Sequence, residues 1–169
     1  MAENRPQPHF YQRLDIEHLP IKEKVLTLQA FISKDPEYEG FDTLALEGGL
    51  TLLEAEPNRT VWEMPVTPRL CNKSGNLHGG AAATIMDNLT STALVTISKP
   101  GFLDAGHVSR TINMTYLRPV PKGSTARIEC HVQAAGRNTA NIVGKLYVNE
   151  KLAVICVHDK AVFKSVSKL

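Results

Sequence analysis

Hydrophobic spacing divides the chain into two helical stretches and a set of alternating ones. In PIKEKVLTLQAFISKD, residues 20–35, Ile21, Val25, Leu28 and Ile32 recur at three- to four-residue intervals behind Pro20, a residue suited to the first turn of a helix. The pattern predicts a short amphipathic helix ending before Pro36, preceded by an irregular, polar, proline-containing arm over residues 1–20. Segments 43–54 and 59–67 favour strands, with Leu, Thr, Val and Trp punctuated by Gly48-Gly49 and the turn-like Glu56-Pro57-Asn58. From His78 to Ser98 the chain is rich in Ala, Ile, Met and Leu, apolar on nearly every side and free of proline, which fits a helix surrounded by protein; Pro100-Gly101 ends it.

Four alternating segments follow. HVSRTINMTYLRPV, from His107, sets Ser109, Thr111, Asn113 and Thr115 on one face and Val108, Ile112, Met114 and Tyr116 on the other. TARIECHVQAA alternates Ile128, Cys130 and Val132 against Arg127, Glu129 and His131, a half-buried strand. TANIVGKLYVNE and KLAVICVHDKAVF complete the series, separated by Gly-Arg-Asn and Asn-Glu-Lys turns. One long helix followed by an antiparallel meander makes an α+β domain, its sheet wrapped on the helix. The expected division is an arm and short helix over 1–40, the main domain over 41–164 and a tail over 165–169.

Composition changes this picture little. The chain has 169 residues, 43% hydrophobic and 21% charged, enough for one core without disulfide or metal staples. A net charge of +2, with scattered positive residues, argues against a nucleic-acid partner. No stretch of about 18 apolar residues suggests a membrane span, and the start lacks a signal core, so a soluble protein outside the secretory route is expected. Cys71, Cys130 and Cys156, an odd number without a CxxC pair, read as reduced, packed thiols. The last residues, Ser167, Lys168 and Leu169, form the SKL tripeptide read by the peroxisomal import receptor. The expected address is the peroxisome, alone or with a cytoplasmic pool.

The chemistry centres on SGNLHGGAAATIMDN, residues 74–88, where an aspartate interrupts small and apolar residues. Carboxylates are seldom buried without a partner or a task. On a helix, Gly80, Ala83, Thr84, Thr90, Ser91 and Leu94 fall within about 60° of Asp87, and all but Leu94 are small, so a second element can approach closely. The helix start offers free backbone N–H groups, and Gly79-Gly80 leave them unobstructed, the anatomy of an oxyanion hole. Gly79 and Asp87 are eight residues apart, or about 12 Å along a helix axis. If both act on one carbonyl, the helix start must come from one subunit and the carboxylate from another, as two antiparallel helices related by a two-fold axis would arrange.

HGG, then Asp87 nine residues after His78, then NMTYLRP, together resemble the hotdog-fold acyl-coenzyme A thioesterases, nearest to the PaaI-type and thioesterase-superfamily-member-2 branch, over about residues 44–163. The resemblance implies that Asp87 is the base or nucleophile and that the Gly79 amide polarises the thioester carbonyl from the opposite subunit. It further implies that Asn72 helps place thioester or water, that Ser109 lies near the carboxylate, and that His78 orients the thioester. A basic residue near the nucleotide end of coenzyme A is implied at the Gly136-Arg137-Asn138 turn, with Arg118 and Lys160 as further phosphate partners. A tetramer of two dimers is implied too. By themselves these residues also allow plainer roles: Asp87 a structural carboxylate, His78 a helix cap, Ser109 an ordinary strand serine, Asn72 a turn residue.

No P-loop, GxGxxG, HExxH, GxSxG or Cys/His cluster is found, so hydrolysis without cofactor or metal is the expected chemistry. Two functions fit: an acyl-coenzyme A thioesterase releasing free acid and coenzyme A, and a non-catalytic acyl-coenzyme A-binding or scaffold protein on the same fold.

Overall fold

The computed structural model describes residues 14–34, 40–41, 43 and 49–163. The Ser167-Lys168-Leu169 ending, the first 13 residues and residues 44–48 of the first expected strand lie outside the described residues. Six strands form one antiparallel sheet: β1 (Thr51–Glu56), β2 (Arg59–Pro65), β3 (His107–Tyr116), β4 (Thr125–Ala135), β5 (Thr139–Val148) and β6 (Lys151–Val162), in the order β1-β2-β4-β5-β6-β3. Among the described residues two longer helices accompany it, α1 (Ile21–Lys34) and α2 (Gly79–Ala93), the latter prolonged by a 3-10 turn over Leu94–Ile97. Between β2 and β3 the chain runs through α2, which is why β3 lands on the far edge beside β6. α2 packs against β3, β4, β5 and β6, so the sheet wraps the helix in the hotdog arrangement.

Alternation decides which side chains meet α2. Trp62 and Met64 of β2, Ile128 of β4, and Ile142 and Leu146 of β5 are fully buried against Ile85, Met86 and Leu89 of the helix. Burying each such side chain contributes about 1.5–3 kcal/mol. Cys130 and Cys156 are buried in the same core and Cys71 is half-buried, all three as free thiols.

One expectation needs correction and two gain detail. β1 begins only at Thr51, because Gly49, with φ +93°, turns the chain just before it; Thr43 sits in a helical turn. Residues 14–20 are irregular, as expected, and are packed onto the domain. Ile16 packs with Leu28 and Val95, and Lys24 Nζ donates to Glu17 Oε2 at 3.0 Å and to the Ser98 carbonyl at 2.9 Å, tying the segment to the far end of α2. Finally, within one chain α2 has an open side: Gly80, Ala81, Ala83, Thr84, Asp87, Asn88 and Ser91 are partly or fully accessible.

The depth at which α2 sits is set at Gly144 of β5. A Cβ there would stand 2.9 Å from Thr90 Cγ2 and 3.1 Å from Met86 Sδ. Neither neighbour can give way easily, since the Thr90 hydroxyl is 2.6 Å from the Met86 carbonyl and both residues are buried. Gly144→Ala should therefore destabilise the fold by about 1–3 kcal/mol. Urea unfolding should show a lower midpoint with an unchanged slope; an unchanged midpoint would mean that the helix can lift off at no cost.

Candidate active site

The segment before α2 is shaped by local hydrogen bonds. Asn72 Oδ1 accepts from the N–H groups of Ser74 at 3.0 Å and Asn76 at 3.2 Å, an Asx-type turn completed by Gly75 at φ +75°. The amide Nδ2 is thereby the part of Asn72 left for other partners. His78 N–H donates to the Leu70 carbonyl at 2.7 Å, which fixes the residue in an extended conformation as the N-cap of α2. Its Nδ1 accepts from Gly80 N–H at 3.0 Å, so the ring hydrogen of the neutral imidazole is on Nε2. With Gly80 N–H capped, the Gly79 N–H is left as a helix-start donor without an acceptor among the described residues. Tyr116 Oη donates to the Gly79 carbonyl at 2.8 Å and pins this end of the helix to β3.

A second cluster forms two turns further along. Asp87 Oδ1 accepts from Ser109 Oγ at 2.8 Å, and the side chain is still 46% exposed. Lys160, 4% exposed, donates from Nζ to Ser91 Oγ at 2.6 Å and Ser109 Oγ at 3.1 Å, and stands 3.9 Å from Asp87 Oδ1. His158, fully buried, has Nε2 at 3.3 Å from Asp87 Oδ1, close but off-axis for a hydrogen bond. Its Nδ1 is 2.7 Å from Thr90 Oγ1, whose single hydrogen can go to Nδ1 or to the Met86 carbonyl. Given to Met86, it would force an Nε2 lone pair against the carboxylate. Given to Nδ1, it leaves an Nε2–H facing Asp87, which the negative charge favours.

Ser109 reaches Asp87 because of a β-bulge. β3 pairs Ser109 with Lys160 and Thr111 with Asp159, leaving Arg110 as the extra residue. The bulge turns Ser109 to the helix side with Ile112, Met114 and Tyr116, not to the Thr111-Asn113-Thr115 face that simple alternation predicts. On that opposite face Thr111 Oγ1 donates to Asp159 Oδ2 at 2.9 Å and Asn141 Nδ2 to Asp159 Oδ1 at 2.6 Å, holding the Asp159 carboxyl below its usual range.

The structure gathers Asp87 and Ser109 in one place and Asn72, His78 and Gly79 in another. The expected coenzyme contacts are more dispersed. Gly136, Arg137 and Asn138 lie in the exposed β4–β5 turn, where the Asn138 carbonyl accepts from Val162 N–H at 2.9 Å, beside the last residue of β6. Arg118 donates to the Leu152 carbonyl at 2.5 Å, near the first residue of β6. Ten residues of strand, about 33 Å, separate them, too far for one nucleotide within one chain. Lys160 is in neither place but under Asp87. The sequence places Thr90 and Ser91 on the Asp87 face but gives them no role, and it does not single out His158. A signal for His158 existed: VICVHDK alternates Val154, Cys156, His158 and Lys160 on one face, two polar groups where the strand should be apolar.

Burial acts on all three nitrogen bases here. It pushes His158 down to about 4, with Lys160 adding to the effect and Asp87 and Asp159 opposing it. Lys160 is lowered to about 8 by burial, against the pull of Asp87. His107, at the start of β3, falls to about 3 through burial and then through the charge of Lys160. The set is one cation and two neutral imidazoles beneath one carboxylate.

Comparison with known proteins gives the family. The Thioesterase superfamily profile matches residues 74–154, which takes in His78, Gly79, Asp87 and Ser109 and stops short of His158 and Lys160. Acyl-coenzyme A thioesterase 13 of Mus musculus is 34% identical over 101 residues, 60% of this chain and 68% of the relative. The chain belongs to the thioesterase superfamily. The Homo sapiens protein of the same name is 36% identical over 93 residues, 55% of this chain and 64% of its own length, so the chain spans a little under two thirds of that relative. Among solved structures, zebra fish thioesterase superfamily member 2 superposes with a TM-score of 0.74 at 29% identity, covering 86% of this chain and 99% of its own. In this chain the central helix presents a half-exposed aspartate, held by a serine, with a lysine and a histidine beneath it.

The two buried imidazoles make stability depend on pH. Below pH 6.5 an unfolded histidine binds a proton that native His158 refuses until about 4 and His107 until about 3. The stabilisation is complete above 6.5 and is lost as pH falls toward 4, on the order of 2–3 kcal/mol for His158. Urea midpoints should drop steadily from pH 7 to pH 4.5, while the ring C–H resonances of His158 keep their neutral-form shifts; a titration near 6.5 would show the ring to be solvated.

Proposed function

We propose that this chain is an acyl-coenzyme A thioesterase, hydrolysing a fatty- or aryl-acyl thioester to the free acid and coenzyme A. The observation that carries the proposal is the half-exposed Asp87 carboxylate, with Oδ1 held by Ser109 and Oδ2 without a donor among the described residues. A free carboxylate oxygen in such a setting takes a proton from a water molecule as that water attacks the thioester carbon. The Gly79 N–H, at the positive end of α2, receives the carbonyl oxygen as it gains charge. Collapse of the tetrahedral adduct expels the coenzyme A thiolate, which takes up the proton. Asn72 Nδ2 and His78 Nε2–H are donors at the same end as Gly79, suited to a carbonyl or a water. Membership of the superfamily and the names of the mouse and human relatives support this reading.

The two halves lie about 12 Å apart along one helix, so the site is composite, with Gly79 from one subunit and Asp87 from its partner. Two features support an isologous dimer. β3 is an edge strand with Val108, Ile112 and Tyr116 exposed, and the open face of α2 carries Asp87 itself. In this reading Arg118, Arg137 and Asn138 meet coenzyme A phosphates only after pairing brings strand ends of two chains together, and two dimers can join into a tetramer. The SKL ending supports peroxisomal import; a fluorescent protein fused ahead of Met1 should be punctate with Leu169 present and diffuse without it. A binding protein on the same fold would hold acyl-coenzyme A and release no thiol.

Thiol release from short, medium, long and aromatic acyl-coenzyme A substrates tests the reaction. Asp87→Asn should fold, yet lose roughly 10²–10⁴-fold in kcat, and turnover like that of wild type would end the assignment. Gly79→Pro removes the amide hydrogen at a position where proline is tolerated, and should also be inactive. Refolding the two inactive variants together should restore about a quarter of wild-type activity, since half the randomly paired dimers are mixed and each holds one intact site. No recovery would place both groups in one chain's site.

A further inference from the structure

Lys160 has a geometry that the hydrolytic reading does not use. An ammonium group donates and never accepts. At 2.6 Å from Ser91 Oγ and 3.1 Å from Ser109 Oγ, it obliges both hydroxyl oxygens to accept. Each serine must then spend its own hydrogen elsewhere, and both spend it on Asp87: Ser91 on the backbone carbonyl at 2.5 Å, Ser109 on Oδ1 at 2.8 Å. Without the lysine, the Ser109 hydroxyl on its exposed strand could rotate its hydrogen into solvent and leave the carboxylate unanchored. We infer that Lys160 is a positioning residue for hydrolysis, acting through Ser91 and Ser109 to fix Asp87 with Oδ1 occupied and Oδ2 turned to the attacking water. The inference rests on the thioesterase reading above and gives Lys160 a role other than binding coenzyme A phosphate. Its titratable neighbours agree: Asp87 on α2 favours the protonated amine, and His158 on β6 and His107 on β3 stand beside it as neutral rings.

Kinetics on the full chain separate the two roles. Lys160→Met keeps the length and apolar stem of the side chain, and the Asp87 carboxylate it leaves behind is half-exposed and stays solvated; Lys160→Gln serves if the first variant fails to fold. Each is assayed on an acyl-coenzyme A and on the corresponding acyl N-acetylcysteamine thioester, which has no nucleotide. A positioning role lowers kcat roughly 10²-fold on both substrates with KM nearly unchanged. A rise in KM confined to the coenzyme A ester would show a phosphate contact, and unchanged kinetics on both would show a filler; either overturns the inference. In a Ser109→Ala background the lysine substitution should cost far less than alone, and a fully additive loss would sink action through Ser109.

One readout needs no turnover. The side-chain amine of Lys160, followed by ¹⁵N NMR, should titrate at a lower pH in Asp87→Asn than in wild type, because the carboxylate holds its proton on. An unchanged midpoint overturns the coupling. If wild type releases no thiol from any substrate, the proposed function fails, and this shift still decides whether Lys160 and Asp87 act as a unit.

Discussion

A helix rests on a sheet only as closely as the smallest side chain between them allows, and here that side chain is a hydrogen atom. Gly144 brings the β5 backbone against Thr90 and Met86 of α2, nearer than any Cβ permits. Everything polar beneath the helix depends on that depth. Thr90 on one turn meets His158, Ser91 meets Lys160, and Asp87 meets Ser109, all at 2.6–2.8 Å. Lifting α2 by the width of a methyl group would stretch all three contacts beyond hydrogen-bonding range, while leaving the apolar packing of Ile85 and Leu89 loosened but recognisable. The apolar core secures the fold, and the glycine sets the tolerance of the site.

The charges under the helix are not there for stability. A Lys160–Asp87 pair at 3.9 Å gains about 4 kcal/mol at an effective dielectric of 20, and less because half of the Asp87 side chain faces solvent. Bringing a lysine to 4% exposure costs several kcal/mol per ion. The depressed Lys160 value shows desolvation winning. An arrangement that stabilises so little is readily understood as orientation: a donor-only group behind two hydroxyls, and a histidine whose tautomer follows from the carboxylate it faces.

Much of this was legible in the sequence. Period-two alternation found β4 to β6 within a residue or two and the start of β3, whose end it carried four residues too far, and the proline-free run after His78 found α2, because in each case a long apolar pattern overrode local detail. The fold class followed from the order of those elements. What the pattern missed was whatever a single residue decides. The bulge at Arg110 reverses Ser109 and cannot be seen in an alternation that looks regular on paper. The resemblance suggests a phosphate contact at Lys160, while the alternation of Cys156, His158 and Lys160 on one face of the last strand points it inward. His78 and Asn72 have the plain roles, cap and turn, and those roles do not compete with a functional one. The cap uses His78 Nδ1 and frees Nε2–H, and the turn uses Asn72 Oδ1 and frees Nδ2.

The distribution of donors and acceptors along α2 then carries an argument about assembly. At its start lie three groups that only give hydrogen: the Gly79 amide, the His78 Nε2–H and the Asn72 Nδ2. Two turns on lies one group that only accepts, the Asp87 carboxylate. A thioester under attack needs both kinds within about 3 Å of one carbon, and a rigid helix keeps them about 12 Å apart. Bending the helix is not an answer, since its middle is clamped at Gly144 and its start is tied to β3 by Tyr116. A second copy laid antiparallel would bring each donor end to the other's acceptor, and would cover the open face of α2 and the exposed edge of β3 in the same step. The rigidity that splits the site within one chain is what would give two chains a well-defined one.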